Sequence, residues 1–316
     1  MQFRTLGRSG LSVSAIGLGC NNFGLRLDRE ESRAVIHAAL DAGITLFDTA
    51  DVYGNQGGSE TLMGEIFGER RKDIVLATKF GMPMGAGDRM KGASRDYIVR
   101  AAEASLKRLK TDWIDLYQLH KADPATPIDE TLRALDDLQR AGKVRYVGSS
   151  NMTPAETVEA HWTARKLGIE GFVSTQAEYS LMTRGIEAEH QRYLERYGIG
   201  LLPFFPLANG FLSGKYKRGM DLPAGSRLAT PNAPWLERES KRLLSDDYFD
   251  RVEALEAFAG ERGRTILELA FGWLLSRGFV SSVIAGASRP EQVTANVAAA
   301  GWTLTAEELA AIDAIR

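Results

Sequence analysis

Two hydrophobic patterns alternate along the chain. Short apolar runs of strand length are followed by stretches whose apolar residues recur every three or four positions. REESRAVIHAALDAG (29–43), SRDYIVRAAEASLKRL (94–109) and PIDETLRALDDLQRAG (127–142) show the second pattern and predict amphipathic helices. The short runs IGLGC (16–20), ITLFD (44–48), IVLATK (74–79), WIDLYQLH (113–120), KVRYVGSS (143–150), FVSTQ (172–176), IGLLPFF (199–205) and FVSSVIAG (279–286) predict strands buried on both faces. Four of these runs, and the IEG leading into FVSTQ, follow directly on a glycine (43, 142, 168, 198, 278), read as a left-handed helix cap. The eight strands are expected to begin near residues 16, 44, 74, 114, 144, 172, 200 and 280. An opening hairpin, FRTL and SVSA around GRSG, precedes them.

Eight β/α alternations in a chain of 316 residues fit an α/β fold of the (β/α)8 TIM barrel kind better than an open doubly wound sheet. The expectation is one domain over residues 1–316, with the N-terminal β-hairpin and extra helices at the C-terminus. Residues 208–245 interrupt the seventh unit and read as a lid, a binding loop or a disordered insertion.

Composition narrows the partners. A formal charge of −2 offers no broad basic field for nucleic acid or anionic lipid, and no run reaches the roughly 20 apolar residues that cross a bilayer. Cys20 is the only cysteine, so no intrachain disulfide can form. With no signal-peptide pattern at the N-terminus, a cytoplasmic protein acting on small molecules is expected.

In a barrel, the carboxyl ends of the strands meet at one mouth. There the chain presents Asp48 and Tyr53, then Lys79, His120, the trio Ser149, Ser150 and Asn151, and Gln176. Singly each is an ordinary turn, cap or loop residue; together they are a set with a shared chemistry. An ammonium at Lys79 is expected to lower the pKa of a nearby Tyr53 phenol, Asp48 to hold and aim that ammonium, and His120 to donate to a substrate oxygen. His37, His161 and His190 lack metal-ligand spacing, and no metal site is expected. Cys20 reads as a packing residue, and GLGCNNFG (17–24) lacks the G-x-G-x-x-G spacing of a dinucleotide turn.

FDTADVYGNQGGSE, the lysine of VLATKF, the histidine of DLYQLHKAD, GKVRYVGSSN and IAGASRPEQVTANV resemble the aldo-keto reductase superfamily over nearly the whole chain. The resemblance implies a catalytic tetrad of Asp48, Tyr53, Lys79 and His120, and reduction of an aldehyde or ketone by NADPH with Tyr53 as proton donor. It implies that Ser150, Asn151 and Gln176 hold the nicotinamide carboxamide, and that Phe204 or Phe205 stacks on the ring where the family usually has tyrosine. Leu207, Gly210 and Lys215, with Gly286, Ser288, Arg289, Gln292 and Asn296, are implied for the rest of the dinucleotide. A helix starting near Pro290 would offer backbone amides to a phosphate, and the Arg289 fork suits a ribose 2′-phosphate, which favours NADPH over NADH. Many NADP-preferring members carry a lysine where this chain has GASR.

Selectivity is expected from loops 21–27, 81–90, 121–126 and parts of 208–236, with Phe23, Met82, Met84 and Trp235 as candidate apolar walls. The β subunits of voltage-gated potassium channels share the resemblance, so a redox-sensing cofactor binder with little turnover is the alternative. The chain shows no evident tethering segment before the barrel, which weighs against it. A lyase or isomerase forming a Schiff base on Lys79 is a further rival.

Overall fold

The computed structural model describes residues 1–223, 225–229, 239 and 241–315. β1 (Phe3–Thr5) and β2 (Ser12–Ser14) form the antiparallel hairpin. Eight parallel strands follow among the described residues: β3 (Ile16–Gly19), β4 (Leu46–Asp48), β5 (Val75–Phe80), β6 (Ile114–Leu119), β7 (Val144–Ser150), β8 (Ser174–Glu178), β9 (Gly200–Phe204) and β10 (Val283–Gly286). Their order, β10-β3-β4-β5-β6-β7-β8-β9, is the chain order bent into a ring. Leu201 bridges Val280 in parallel and so brings the two outer strands together, giving the expected (β/α)8 barrel.

Between the strands lie α1 (Arg29–Asp41), α2 (Tyr53–Ile66), α3 (Arg95–Leu109), α4 (Ile128–Arg140), α5 (Pro154–Leu167), the short α6 (Ile186–Glu189) and α7 (Gln191–Tyr197), α8 (Asp246–Gly260) and α9 (Ile266–Leu275). After the last strand come α10 (Pro290–Ala299) and α11 (Ala306–Ala314), the expected extra helices. Starts are set locally. Asp28, Thr153, Thr265 and Thr305 each form a capping box with the glutamate three residues on, satisfying backbone donors that a helix leaves free.

Three strands start two or three residues later than expected, and a helix end accounts for the first of these delays, at Ile44. The amides of Ile44, Lys143, Ile169 and Ile199 reach back to the carbonyls of Ala39, Leu138, Ala164 and Leu194, so the residue after the glycine still belongs to the cap. Gly278 alone of the five glycines does not take the left-handed conformation.

The twofold alternation of strand side chains builds the barrel interior. Leu46, Val75, Ala77, Leu116, Leu202 and Ile284 form one buried apolar cluster, and Leu6 and Val13 of the hairpin join it. Each such side chain contributes roughly 1.5–3 kcal/mol of burial if large. On the opposite parity of β6, Tyr117 and Leu119 pack in a separate cluster with α3 and α4. Two residues beyond Leu46, Ala77 and Leu116 stand Asp48, Lys79 and Gln118, and Gln176 of β8 joins them in a polar layer above the apolar one.

One contact between helices allows no side chain. A Cβ on Gly64 of α2 would lie 2.3 Å from the Arg108 carbonyl oxygen and 2.6 Å from the Leu109 carbonyl carbon in α3. Gly64→Ala is therefore expected to push the two helices apart and destabilise the protein by about 1–3 kcal/mol, read as a lower thermal midpoint. An unchanged midpoint would show that the backbones have room to separate.

The long interruption is partly ordered. Ala208–Ser213 forms a 3-10 turn, and Phe211, Leu212, Tyr216, Leu228 and Leu243 are buried. Arg218 ties the segment to α8 through Asp246 at 2.7 Å, Glu253 at 3.1 Å and Asp250. Trp235 lies outside the described residues. Phe23 is fully buried, so it belongs to the core rather than to a substrate wall. Met82 and Met84 are half-buried in the loop after β5. Among the described residues no helix is long and apolar enough to cross a membrane.

Candidate active site

The Lys79 ammonium is buried at the end of β5 and donates to Asp48 Oδ2 at 2.6 Å and to the Thr49 carbonyl at 2.8 Å. Burial is the largest single influence on Lys79 and pulls its pKa down. The Asp48 and Tyr53 charges and hydrogen bonds outweigh it, and the amine stays charged. The other Asp48 oxygen, Oδ1, accepts from Gln176 Nε2 at 2.6 Å and from Gln118 Nε2 at 3.0 Å. Gln176 also donates to Gln118 Oε1 at 2.9 Å. A buried ion pair is stable only when its remaining lone pairs are satisfied, and the two glutamines do that here.

Tyr53 stands over this pair, with Lys79 Nζ 5.0 Å from its ring centre and its hydroxyl in charge and hydrogen-bond contact with the ammonium. Residues 54–57 follow in an unusual left-handed run, with φ of 67°, 57°, 66° and 113°. A Cβ on Gly57 would lie 2.6 Å from Arg108 Cδ, so this turn requires glycine both for its φ and for the arginine lying against it. Arg108 Nε in turn donates to Glu60 Oε2 at 2.7 Å, which anchors the loop carrying Tyr53 onto α3.

The expected direction of the Tyr53 shift is reversed. Burial raises the phenol's pKa, and the Lys79 ammonium only partly opposes it. The phenol is therefore held protonated at neutral pH. His120 meets the Tyr53 ring edge to face at 5.8 Å. Burial, and then the Lys79 charge, depress its pKa to about 3, and Nδ1 has no hydrogen-bond partner among the described residues. His120 is thus a neutral imidazole.

Asn151, at φ 53°, donates through Nδ2 to the His120 carbonyl at 3.0 Å and to Ser150 Oγ at 2.9 Å. Ser150, Asn151 and Gln176 accordingly border the same space as the four titratable groups. Ser149 does not, since its hydroxyl bonds Thr175 between strands. Gln176 directs its amide hydrogens to Asp48 and Gln118, so its carbonyl oxygen is the group left to accept from a carboxamide. Phe204 and Phe205 meet edge to face at 5.2 Å, and the Arg227 guanidinium lies 4.5 Å from the Phe205 ring. Lys215 occupies the space a Cβ on Gly210 would fill, 2.7 Å from Nζ, just beyond Leu207. At the end of β10, Gly286 leads into a turn where the Ser288 amide and hydroxyl bond Gln292 Oε1 at 2.8 and 3.2 Å. Asn296 is buried on α10, whereas Arg289 at its start is 70% exposed and only loosely paired with Glu291 at 4.0 Å.

Donors and acceptors for an amide, an aromatic face, cations beside the β9 turn and the start of α10 form a donor set suited to a dinucleotide. Gln118 and Arg227 escaped the sequence reading. Gln118 carried a signal, because it shares strand parity with Leu116 and His120; Arg227, in an irregular segment, carried none. Cys20 is fully buried with its pKa raised by burial, as expected of an inert packing thiol.

Residues 15–316 match the profile described as the Aldo/keto reductase family. A probable voltage-gated potassium channel subunit beta of Oryza sativa subsp. japonica is 40% identical over 304 residues, 95% of this chain and 91% of the relative. L-glyceraldehyde 3-phosphate reductase of Escherichia coli K12 is 35% identical over 321 residues, covering 99% and 92%. An uncharacterized oxidoreductase of Bacillus subtilis is 37% identical over 320 residues, covering 98% and 94%.

Proposed function

The chain belongs to the aldo/keto reductase family, and from that premise we propose that it is a cytoplasmic, single-domain NADPH-dependent reductase of small aldehydes and ketones. The observation that carries this reading is the charged Lys79 fixed by Asp48 beneath the protonated Tyr53, with neutral His120 alongside. Bound NADPH would supply hydride to the carbonyl carbon. Tyr53 gives its proton to the carbonyl oxygen. Lys79 uses two of its N–H groups on Asp48 and Thr49, leaving the third to stabilise the phenolate as the proton departs. His120, neutral, orients the carbonyl oxygen by donating one N–H. Ser150, Asn151 and the Gln176 carbonyl would hold the carboxamide, Phe204 or Phe205 would stack on the ring, Leu207, Gly210, Lys215 and Arg227 would bind the phosphates, and Gly286, Ser288, Arg289, Gln292 and Asn296 would take the adenosine end.

The test follows NADPH absorbance with a panel of aldehydes, ketones and sugars. Phosphorylated small aldehydes belong in the panel because of the Escherichia coli relative's name. Arg289→Ala is expected to weaken NADPH binding about tenfold, the order of one charge-assisted hydrogen bond, and to leave NADH binding unchanged. Equal losses for both nucleotides would remove Arg289 from 2′-phosphate recognition. The rice relative favours a second reading, a channel-associated subunit whose bound nucleotide reports redox state. Tight NADPH binding with negligible turnover on every carbonyl would support it.

A further inference from the structure

Asp51 lies two residues before Tyr53 and is 1% exposed; among the described residues neither of its carboxyl oxygens has a well-formed hydrogen bond, with only the Val52 amide and the Tyr97 hydroxyl close enough to act on it. The surrounding charges explain why this acid has no cation of its own. Glu60, also fully buried, faces it from α2 and accepts from Thr78 Oγ1 at 2.5 Å and from Arg108 Nε at 2.7 Å. Arg108 gives Nη2 to Ser105 at 3.2 Å. Two buried acids therefore share one guanidinium. Lys79 on β5 acts on Asp51 from a distance, and Tyr97 of α3 and Tyr117 of β6 face it with their hydroxyls. Arg100 lies 5.9 Å from the Tyr97 ring centre. Burial first, then the Glu60 charge, raise the Asp51 pKa to about 7.

Tyr97 is what makes this acid consequential. Its hydroxyl donates to the Met82 carbonyl at 3.3 Å and also interacts with Asp51. Met82 opens the flap of residues 81–92, closed by Gly92 N–H to the Gly81 carbonyl at 2.9 Å and Met84 N–H to the Met90 carbonyl at 2.9 Å. The flap springs from Phe80, whose carbonyl accepts the His120 amide at 2.9 Å, so it stands at the edge of the proposed substrate mouth.

We propose that Asp51 is a positioning residue whose proton decides whether Tyr97 ties the flap of residues 81–92 to the mouth. A tyrosine has one O–H to give. With Asp51 protonated, its carboxyl donates to the Tyr97 oxygen, and the Tyr97 proton stays on the Met82 carbonyl. With Asp51 ionised, the carboxylate is the stronger acceptor, Tyr97 turns its proton to it, and the flap loses its tie. The flap is thus held below about neutral pH and released above it. That the tie affects substrate rests on the carbonyl-reductase reading; the tie itself does not.

Hydrogen exchange of the Met84 and Gly92 amides between pH 6 and 8, corrected for intrinsic rates, reads the tie in the full-length protein. Wild-type protection is expected to fall about tenfold across that range, the order of one hydrogen bond. Asp51→Asn, whose amide still donates to the Tyr97 oxygen, keeps high protection at both pH values. Tyr97→Phe shows low protection at both. KM for a reducible carbonyl should rise with pH in wild type alone, with kcat at saturation following its own profile. Flat wild-type protection, or a step that survives in Asp51→Asn, overturns the proposal. A protection step in a protein that reduces no carbonyl upholds the tie and overturns the reductase reading instead.

Discussion

Replacing Tyr53 by phenylalanine is expected to lower kcat for carbonyl reduction by about 10²–10⁴-fold, the range a positioned general acid supplies, with NADPH affinity unchanged. The substitution keeps the ring, and with it the edge-to-face contact to His120 at 5.8 Å and the approach to Lys79 Nζ at 5.0 Å. Only the proton and the oxygen that carries it are lost. No neighbour can replace them well: Lys79 is held charged by Asp48, and His120, with a pKa near 3, gains a proton only in strong acid. For the same reason His120 should contribute no step near pH 6.5 to the wild-type rate profile, although free histidine titrates there. Single-turnover NADPH oxidation measures the chemical step, and fluorescence titration measures the nucleotide. A variant turning over within a few-fold of wild type would mean that the proton comes from elsewhere.

The barrel was legible because its signals are local and repeated. Helices end at glycines, after which the next amide reaches back to the carbonyl five residues before it, and strands read as largely apolar runs because both faces are covered. The positions of Asp48, Lys79, His120 and Gln176 followed from where those runs stop. What stayed hidden depends on contacts between distant elements. The upward shift of the Tyr53 phenol comes from burial, which no motif displays. Phe23 reads as a loop aromatic and turns out to be core. Gln118 matters because its amide reaches Asp48, 70 residues away, and Asp51 because α2 and α3 surround it with too few cations.

Lys79→Met should cost stability as well as activity, and the two losses can be separated. The ammonium is 1% exposed and the Asp48 side chain 5%, so removing Lys79 leaves a buried carboxylate held only by the Gln118 and Gln176 amides. Breaking a buried pair from one side typically costs about 3–5 kcal/mol, a large share of the roughly 5–15 kcal/mol that keeps a domain folded. The expected result is a markedly lower midpoint of chemical denaturation. Adding Asp48→Asn removes the stranded charge while keeping an amide that can accept from both glutamines, so the double variant should regain much of the lost stability. It should regain no activity, because nothing is then left to stabilise the Tyr53 phenolate during transfer. Strictly additive losses of stability in the double variant would show that the two charges do not act as a pair, and recovered turnover would remove Lys79 from the chemistry.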